Sequence, residues 1–173
     1  MLADYLCSAG AECTIVRNND PLLLQSDYSK WEALVLSPGP GRPEQAGFMM
    51  EVLKRWNMHK PVLGICLGHQ ALGLFFGASL VKAQTPRHGK VDQMIHASDL
   101  LFEGIPESFL ATRYHSLILE NLPTELQAVC YSGMELMGLN HTEFPVWGLQ
   151  FHPESCQTEW GHQLIKNFLR VGG

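Results

Sequence analysis

The segment Lys60-Pro-Val-Leu-Gly-Ile-Cys-Leu-Gly-His-Gln70 constrains the fold of this chain more than any other. An apolar, strand-like run enters a turn in which Gly64 and Gly68 stand two residues before and two after Cys66, and a helical pattern follows. A turn from strand to helix this sharp drives side chains at those two positions into neighbouring backbone, and glycine removes the collision. The sulfur then points outward at a helix N-terminus, where the helix dipole favours thiolate, the attacking form, over thiol. Read alone, the segment also fits a buried structural cysteine between two packing glycines.

The rest of the chain supports an α/β reading. Glu12 to Val16, Ala33 to Ser37 and Pro61 to Ile65 have strand-like apolar patterns, and between the last two Pro43 to Met58 sets Phe48, Val52 and Trp56 on one helical face. Strand, helix, strand implies a parallel crossover. Shorter runs follow at Ser79 to Lys82, Val91 to His96, Leu126 to Tyr131, Leu136 to Asn140 and Val146 to Phe151, suggesting further strands, some of them antiparallel. After Thr158, Trp160, Leu164, Ile165, Phe168 and Leu169 recur at helical spacing before Gly172 and Gly173. The expected fold is three-layer α/β: a mostly parallel central sheet, helices on both faces, and a smaller antiparallel portion.

A length of 173 residues suits one domain, taken as 1–173. No apolar run approaches the roughly 20 residues of a membrane span, and Met1-Leu2-Ala3-Asp4 lacks the basic start of a signal peptide, so a cytoplasmic protein with no membrane partner is expected. A net charge of −5 without blocks of like charge gives no electrostatic reason to bind nucleic acid. The five cysteines (Cys7, Cys13, Cys66, Cys130 and Cys156) are odd in number and form no Cys-x-x-Cys pair, which argues against a disulfide framework and a zinc site. Cys7, Cys13 and Cys130 fall in apolar contexts and read as small buried hydrophobes. Cys156 and His162 lack zinc-site spacing, so no metal is expected.

A thiol nucleophile needs a base, and eight histidines compete for the role. In Val146-Trp-Gly-Leu-Gln-Phe-His-Pro-Glu154, His152 stands just past an apolar strand, where open α/β sheets gather functional groups. Glu154 follows two residues later, where a carboxylate can orient the imidazole and stabilise its protonated form. A third strand end carries Leu36-Ser-Pro-Gly-Pro-Gly41, which read alone is simply a tight turn, but one whose Gly39-Pro40-Gly41 backbone can face a ligand. Gly39 and the Leu67 amide, just after the nucleophile, are the expected halves of an oxyanion hole.

Four motifs, in order, carry a resemblance: Ser37-Pro-Gly-Pro-Gly-Arg-Pro43, Gly64-Ile-Cys-Leu-Gly-His-Gln70, Arg113-Tyr-His-Ser-Leu117 and Gln150-Phe-His-Pro-Glu-Ser155. Together they resemble the class I (triad) glutamine amidotransferases. With His88-Gly-Lys90, they look most like component II of anthranilate synthase and of aminodeoxychorismate synthase. The resemblance implies a catalytic triad of Cys66, His152 and Glu154 acting on L-glutamine through a γ-glutamyl thioester. It also implies that Gln70 holds the substrate's amino-acid end and that backbone at Ser116 and Leu117 holds its α-carboxylate and α-ammonium. The ammonia would pass to a component I, chorismate-binding synthase that makes anthranilate or 4-amino-4-deoxychorismate. No cofactor is implied for this subunit, and magnesium is expected in the partner. His69 and His115 have no triad role in the family and read as hydrogen-bonded structural histidines. Family members usually open with an apolar strand and an Asp-Asn-x-Asp-Ser-Phe-Thr turn that this sequence lacks, so the first strand is expected to be missing. An independent cysteine hydrolase on a similar elbow is the alternative within enzymes, and a catalytically silent docking module is the alternative outside them.

Overall fold

The computed structural model describes residues 1–171; Gly172 and Gly173 lie outside the described residues. In chain order the elements are α1 (Leu2–Ser8), β1 (Leu34–Leu36), α2 (Met49–Arg55), β2 (Val62–Ile65), α3 (Leu67–Phe76), β3 (Ser79–Lys82), β4 (Lys90–His96), β5 (Ser108–Arg113), β6 (Leu117–Glu120), β7 (Leu126–Ser132), β8 (Glu135–His141), β9 (Val146–Leu149) and α4 (Gly161–Val171). Seven strands form one sheet in the order β1-β2-β9-β8-β7-β4-β5, and β3 pairs with β6 in a separate antiparallel ribbon.

Side-chain alternation along the central strands creates three layers. On β2, Val62 packs with Met49 and Leu53 of α2 and Leu72 of α3, whereas Leu63 and Ile65 pack with Leu164, Ile165 and Phe168 of α4. On β9, Val146 and Trp147 divide between the same two clusters. A strand buried on both faces needs apolar residues at successive positions, and Val62, Leu63 and Ile65 are all fully buried.

The mixed sheet with helices on both faces matches the expected fold class, but its antiparallel portion is larger than the apolar runs suggested. The β1–β2 and β2–β9 ladders are parallel, whereas β9–β8, β8–β7, β7–β4 and β4–β5 are antiparallel. Short connections account for this. Ser132 pairs with Glu135 across a two-residue turn that opens with Gly133 at φ 57°, the left-handed conformation of a primed hairpin turn. The parallel part, β1-β2-β9, supplies the strand ends that carry the candidate site.

Two local expectations change. Residues 12–16 form no strand and join no ladder among the described residues, and Ile15 and Val16 are exposed. The helix expected over Pro43 to Met58 divides into a 3-10 turn at Pro43–Gln45 and α2, separated by Gly47 at φ 57°. There the chain runs against Asn18: Phe48 N–H donates to the Asn18 carbonyl at 2.7 Å, and a Cβ on Gly47 would lie 2.4 Å from that oxygen. No helix among the described residues is long and apolar enough to cross a membrane.

Candidate active site

Cys66 occupies the join between β2 and α3 at φ 52° and ψ −100°, a conformation an L-residue adopts only when its surroundings enforce it. Both glycines of the elbow are sterically required. A Cβ on Gly64 would lie 2.5 Å from the Gly68 carbonyl carbon and oxygen, and one on Gly68 would lie 2.2 Å from the Leu36 oxygen. The same close packing brings the β1 turn to the nucleophile, because a Cβ on Gly39 would meet Leu67 Cδ2 at 2.9 Å. Leu67 is the first residue of α3, so its N–H has no acceptor within the helix. Gly39, Pro40 and Gly41 are solvent-exposed beside it.

Parallel pairing sets the candidate base next to the candidate nucleophile. Ile65 is opposite Leu149, the Cys66 N–H donates to the Leu149 carbonyl at 2.8 Å, and β9 ends three residues before His152. The loop carrying His152 is clamped to β5. Its N–H donates to the Thr112 carbonyl at 3.0 Å, the Thr112 N–H donates to Thr158 Oγ1 at 3.0 Å, and the Thr158 hydroxyl donates to the His152 carbonyl at 2.7 Å. Ser155 Oγ donates to Thr112 Oγ1 at 2.9 Å. Gly161 lets α4 begin against this loop, since a Cβ there would lie 1.9 Å from the Pro153 oxygen.

His152 Nδ1 is 2.8 Å from Glu154 Oε1, and both side chains are largely buried. Nε2 is buried without a hydrogen bond of ordinary geometry and lies on the Cys66 side of the ring. Burial lowers the imidazole's pKa, but its interactions with Cys66 and Glu154 outweigh burial and raise it to about 9. An imidazolium is therefore held between a carboxylate and a sulfur, an arrangement able to supply a proton to a leaving group.

The residues expected to hold substrate are more fully engaged within the protein than the sequence implied. Gln70 is buried, and its amide N–H groups donate to the Leu117 carbonyl at 3.2 Å and to Gln150 Oε1 at 3.1 Å. The Leu117 carbonyl also takes His115 Nδ1 at 3.0 Å, and the Ser116 carbonyl accepts from Ala83 N–H at 2.9 Å. Both lone pairs of the Leu117 oxygen are thus engaged. Gln150, quoted in a motif but given no role from sequence, reaches the nucleophile: its Nε2 is 3.7 Å from Cys66 Sγ. The available signal was strand alternation, which puts Gln150 on the α3-facing side with Gly148, a polar residue among core positions.

Other candidates separate cleanly. His115 is buried between Arg113 Nε and the Leu117 carbonyl, and burial together with the Arg113 charge lowers its pKa to about 4. His69 is completely buried against the Gly148 backbone with no side-chain hydrogen bond of ordinary geometry, and burial takes its pKa down to about 3. It is a structural histidine set against the Gly148 backbone. His162 stacks on Tyr5 at 3.9 Å, and no cluster among the described residues is arranged to hold a metal ion. Cys130 is buried as expected, with burial pushing its thiol up to about 12, whereas Cys7 is exposed at the surface of α1.

The chain is 39% identical over 97% of its length to aminodeoxychorismate synthase component 2 of Escherichia coli, covering 91% of that protein. It is 42% identical over 98% of its length to anthranilate synthase component 2 of Azospirillum brasilense, covering 89% of it. Some relatives are much longer, and the chain spans 30% of the bifunctional protein TrpGD of Thermotoga maritima. A crystal structure from Thermoplasma acidophilum, provisionally assigned to GMP synthase, superposes with a TM-score of 0.87 at 28% identity, covering 98% of this chain and 85% of that one. The profile of glutamine amidotransferase class-I matches residues 1–171, and the chain belongs to that family.

Proposed function

We propose that this chain is the glutaminase subunit of a chorismate-using synthase, releasing ammonia from L-glutamine for a component I partner that makes anthranilate or 4-amino-4-deoxychorismate. The observation that carries this reading is the strained Cys66 at the N-terminus of α3, with His152 held as imidazolium by Glu154 at the end of the neighbouring strand. The component 2 names of the two relatives matched over nearly their whole length give the reading its partner.

In this mechanism Cys66 Sγ attacks the carboxamide carbon, and the oxyanion that forms turns toward the Gly39 and Leu67 amides. One lost oxyanion donor typically costs about 100- to 1,000-fold in rate. As the C–N bond breaks, His152 Nε2 gives its proton to the leaving nitrogen, and ammonia departs from a γ-glutamyl thioester. Water then attacks the thioester while His152 takes the water's proton; the C–S bond breaks, and glutamate leaves with the thiolate restored. Glu154 keeps the imidazole oriented through both steps. Gln70 Oε1 accepts from the substrate's α-ammonium, and the Ser116 and Leu117 N–H groups receive its α-carboxylate, beside the Gly39-Pro40-Gly41 turn. No step needs a metal or organic cofactor in this subunit, and magnesium is assigned to the partner's chorismate site.

Cys66→Ala in the complex tests the division of labour. Glutamine-dependent synthesis should be abolished, while synthesis from added ammonium salts persists near the wild-type rate. Equal loss of both activities would sink the assignment.

A further inference from the structure

Arg113 is the most thoroughly buried cation among the described residues, with its side chain 1% exposed. Its guanidinium uses Nη1 on Asp92 Oδ2 at 3.0 Å, Nη2 on the Glu135 carboxylate, and Nε on His115 Nε2 at 3.0 Å. Asp92 also forms an ion pair with Arg87, whose Nε lies 3.2 Å from Oδ2. Two carboxylates balance the buried charge, so the contact with His115 is additional to charge neutralisation.

That contact sets the His115 tautomer, and the direction of the bonds that lead on to Cys66 is set at the Leu117 carbonyl, which can only accept. A guanidinium does not deprotonate, so Nε can only donate, and His115 Nε2 must be the accepting nitrogen. The His115 proton is then on Nδ1, which donates to the Leu117 carbonyl at 3.0 Å. The other lone pair of that oxygen takes one Gln70 amide N–H, at 3.2 Å, so the Gln70 amide cannot be turned over. Its second N–H goes to Gln150 at 3.1 Å, which fixes Gln150 Oε1 as an acceptor and leaves Gln150 Nε2–H as the group facing Cys66 Sγ at 3.7 Å. We propose that Gln150 is a further catalytic residue, donating to the Cys66 sulfur to hold it as an oriented thiolate. Gln70, anchored on the Leu117 carbonyl, fixes the polarity of that bond, and Arg113 and His115 are positioning residues that hold the carbonyl in place.

The physical case rests on burial and direction. Gln150 is fully buried and Gln70 nearly so, so neither amide can exchange its partners for water without cost. An amide reversed at either position would put carbonyl oxygen against carbonyl oxygen, or oxygen against the sulfur. The chain therefore has one satisfied orientation, and it ends with a donor at the atom that must carry negative charge.

This inference rests on the proposed role of Cys66 as nucleophile, but its test does not require glutamine hydrolysis. In the full-length chain, the rate of Cys66 alkylation by iodoacetamide at fixed pH reports thiolate. Gln150→Glu keeps the acceptor for Gln70 and replaces the donor with an oxygen, and it should slow alkylation at least about tenfold, the range expected for a hydrogen bond to a charged group. With glutamine, the loss should fall mainly on kcat and little on KM. His115→Leu, which removes the donor to Leu117, should also slow alkylation. His115→Asn restores a donor at the position of Nδ1 and should recover most of the rate, an outcome that general loosening of the core does not produce. Alkylation at the wild-type rate in Gln150→Glu and His115→Leu would overturn the proposal, as would a His115→Asn variant as slow as His115→Leu. Normal alkylation behaviour with no glutamine hydrolysis by wild type would instead count against the proposed function alone.

Discussion

His152 reports the electrostatics of the site because burial and its two partners act on it in opposite directions. Its pKa in the folded chain, about 9, lies above the ordinary 6.5. The imidazolium interactions therefore stabilise the fold fully below about 6.5, and that contribution is lost as pH rises through about 9. Removing the sulfur removes part of what raises the value while burial remains, so in Cys66→Ala the His152 titration followed by NMR should move down from about 9 toward or below 6.5. An unchanged titration would mean that Glu154 alone holds the proton. The elbow glycines give a second residue-scale expectation. Gly68→Ala drives a Cβ into the β1 backbone, whereas Gly104→Ala, at φ 76°, meets nothing within 4 Å. The first should destabilise the chain by more than about 3 kcal/mol or prevent folding, and the second by about 1–2 kcal/mol, as measured by urea unfolding. Cys66, His152 and the elbow glycines were legible as candidates because each sits in or just past an apolar run with a distinctive neighbour. Gln150 and Arg113 were not, because their partners lie far away in the chain: Gln150 is 84 residues from Cys66 and Arg113 is 22 from Glu135.

Among the elements, those buried on both faces were the most readable. β2 and β9 are continuous apolar runs, and α4 follows the spacing of Leu164, Ile165 and Phe168. β5 escaped notice because Thr112 and Arg113, polar by type, occupy its buried end; one is held by the His152 loop and the other by two carboxylates. β6 was hidden inside a motif that drew attention to chemistry rather than to Leu117–Glu120 as a strand. The strand expected at residues 12–16 has the right residue types, but strand propensity has no effect without a ladder to join. The clamp between β5 and the His152 loop gives a prediction at this scale. Thr158→Val keeps the side-chain shape but leaves the part-buried Thr112 N–H and the His152 carbonyl without Oγ1. It should cost about 1–3 kcal/mol in urea unfolding and lower glutaminase kcat more than it raises KM, because the loop positions the base rather than the substrate. A loss confined to KM would show that the clamp does not act through His152.

For the whole molecule the question is which face meets the proposed partner. Free ammonia released into open solvent is protonated and diluted, so the face that produces it has to meet the site that consumes it. Two aromatic contacts join the active site to the segment before β4: Tyr114 packs edge-on against His152 at 5.2 Å, and His88 edge-on against Tyr114 at 6.3 Å. Tyr114 is 47% exposed, and Gly89 at φ 64° lets the chain pass close to its ring. Lys90 then begins β4 on the same side, with its side chain exposed. Lys54 belongs to α2 on the helical layer and is paired with Glu51 at 3.6 Å. Charge reversal at the two positions makes equal changes in net charge, so long-range steering is affected alike and the difference between them isolates contact. Lys90→Glu should weaken binding to a component I synthase by about tenfold, with a changed dependence on salt, whereas Lys54→Glu should stay within about twofold of wild type, as expected for an exposed charge outside an interface. Titration calorimetry at two salt concentrations reads both effects. Equal affinities for the two variants would move the docking face away from the side that carries Tyr114 and His152.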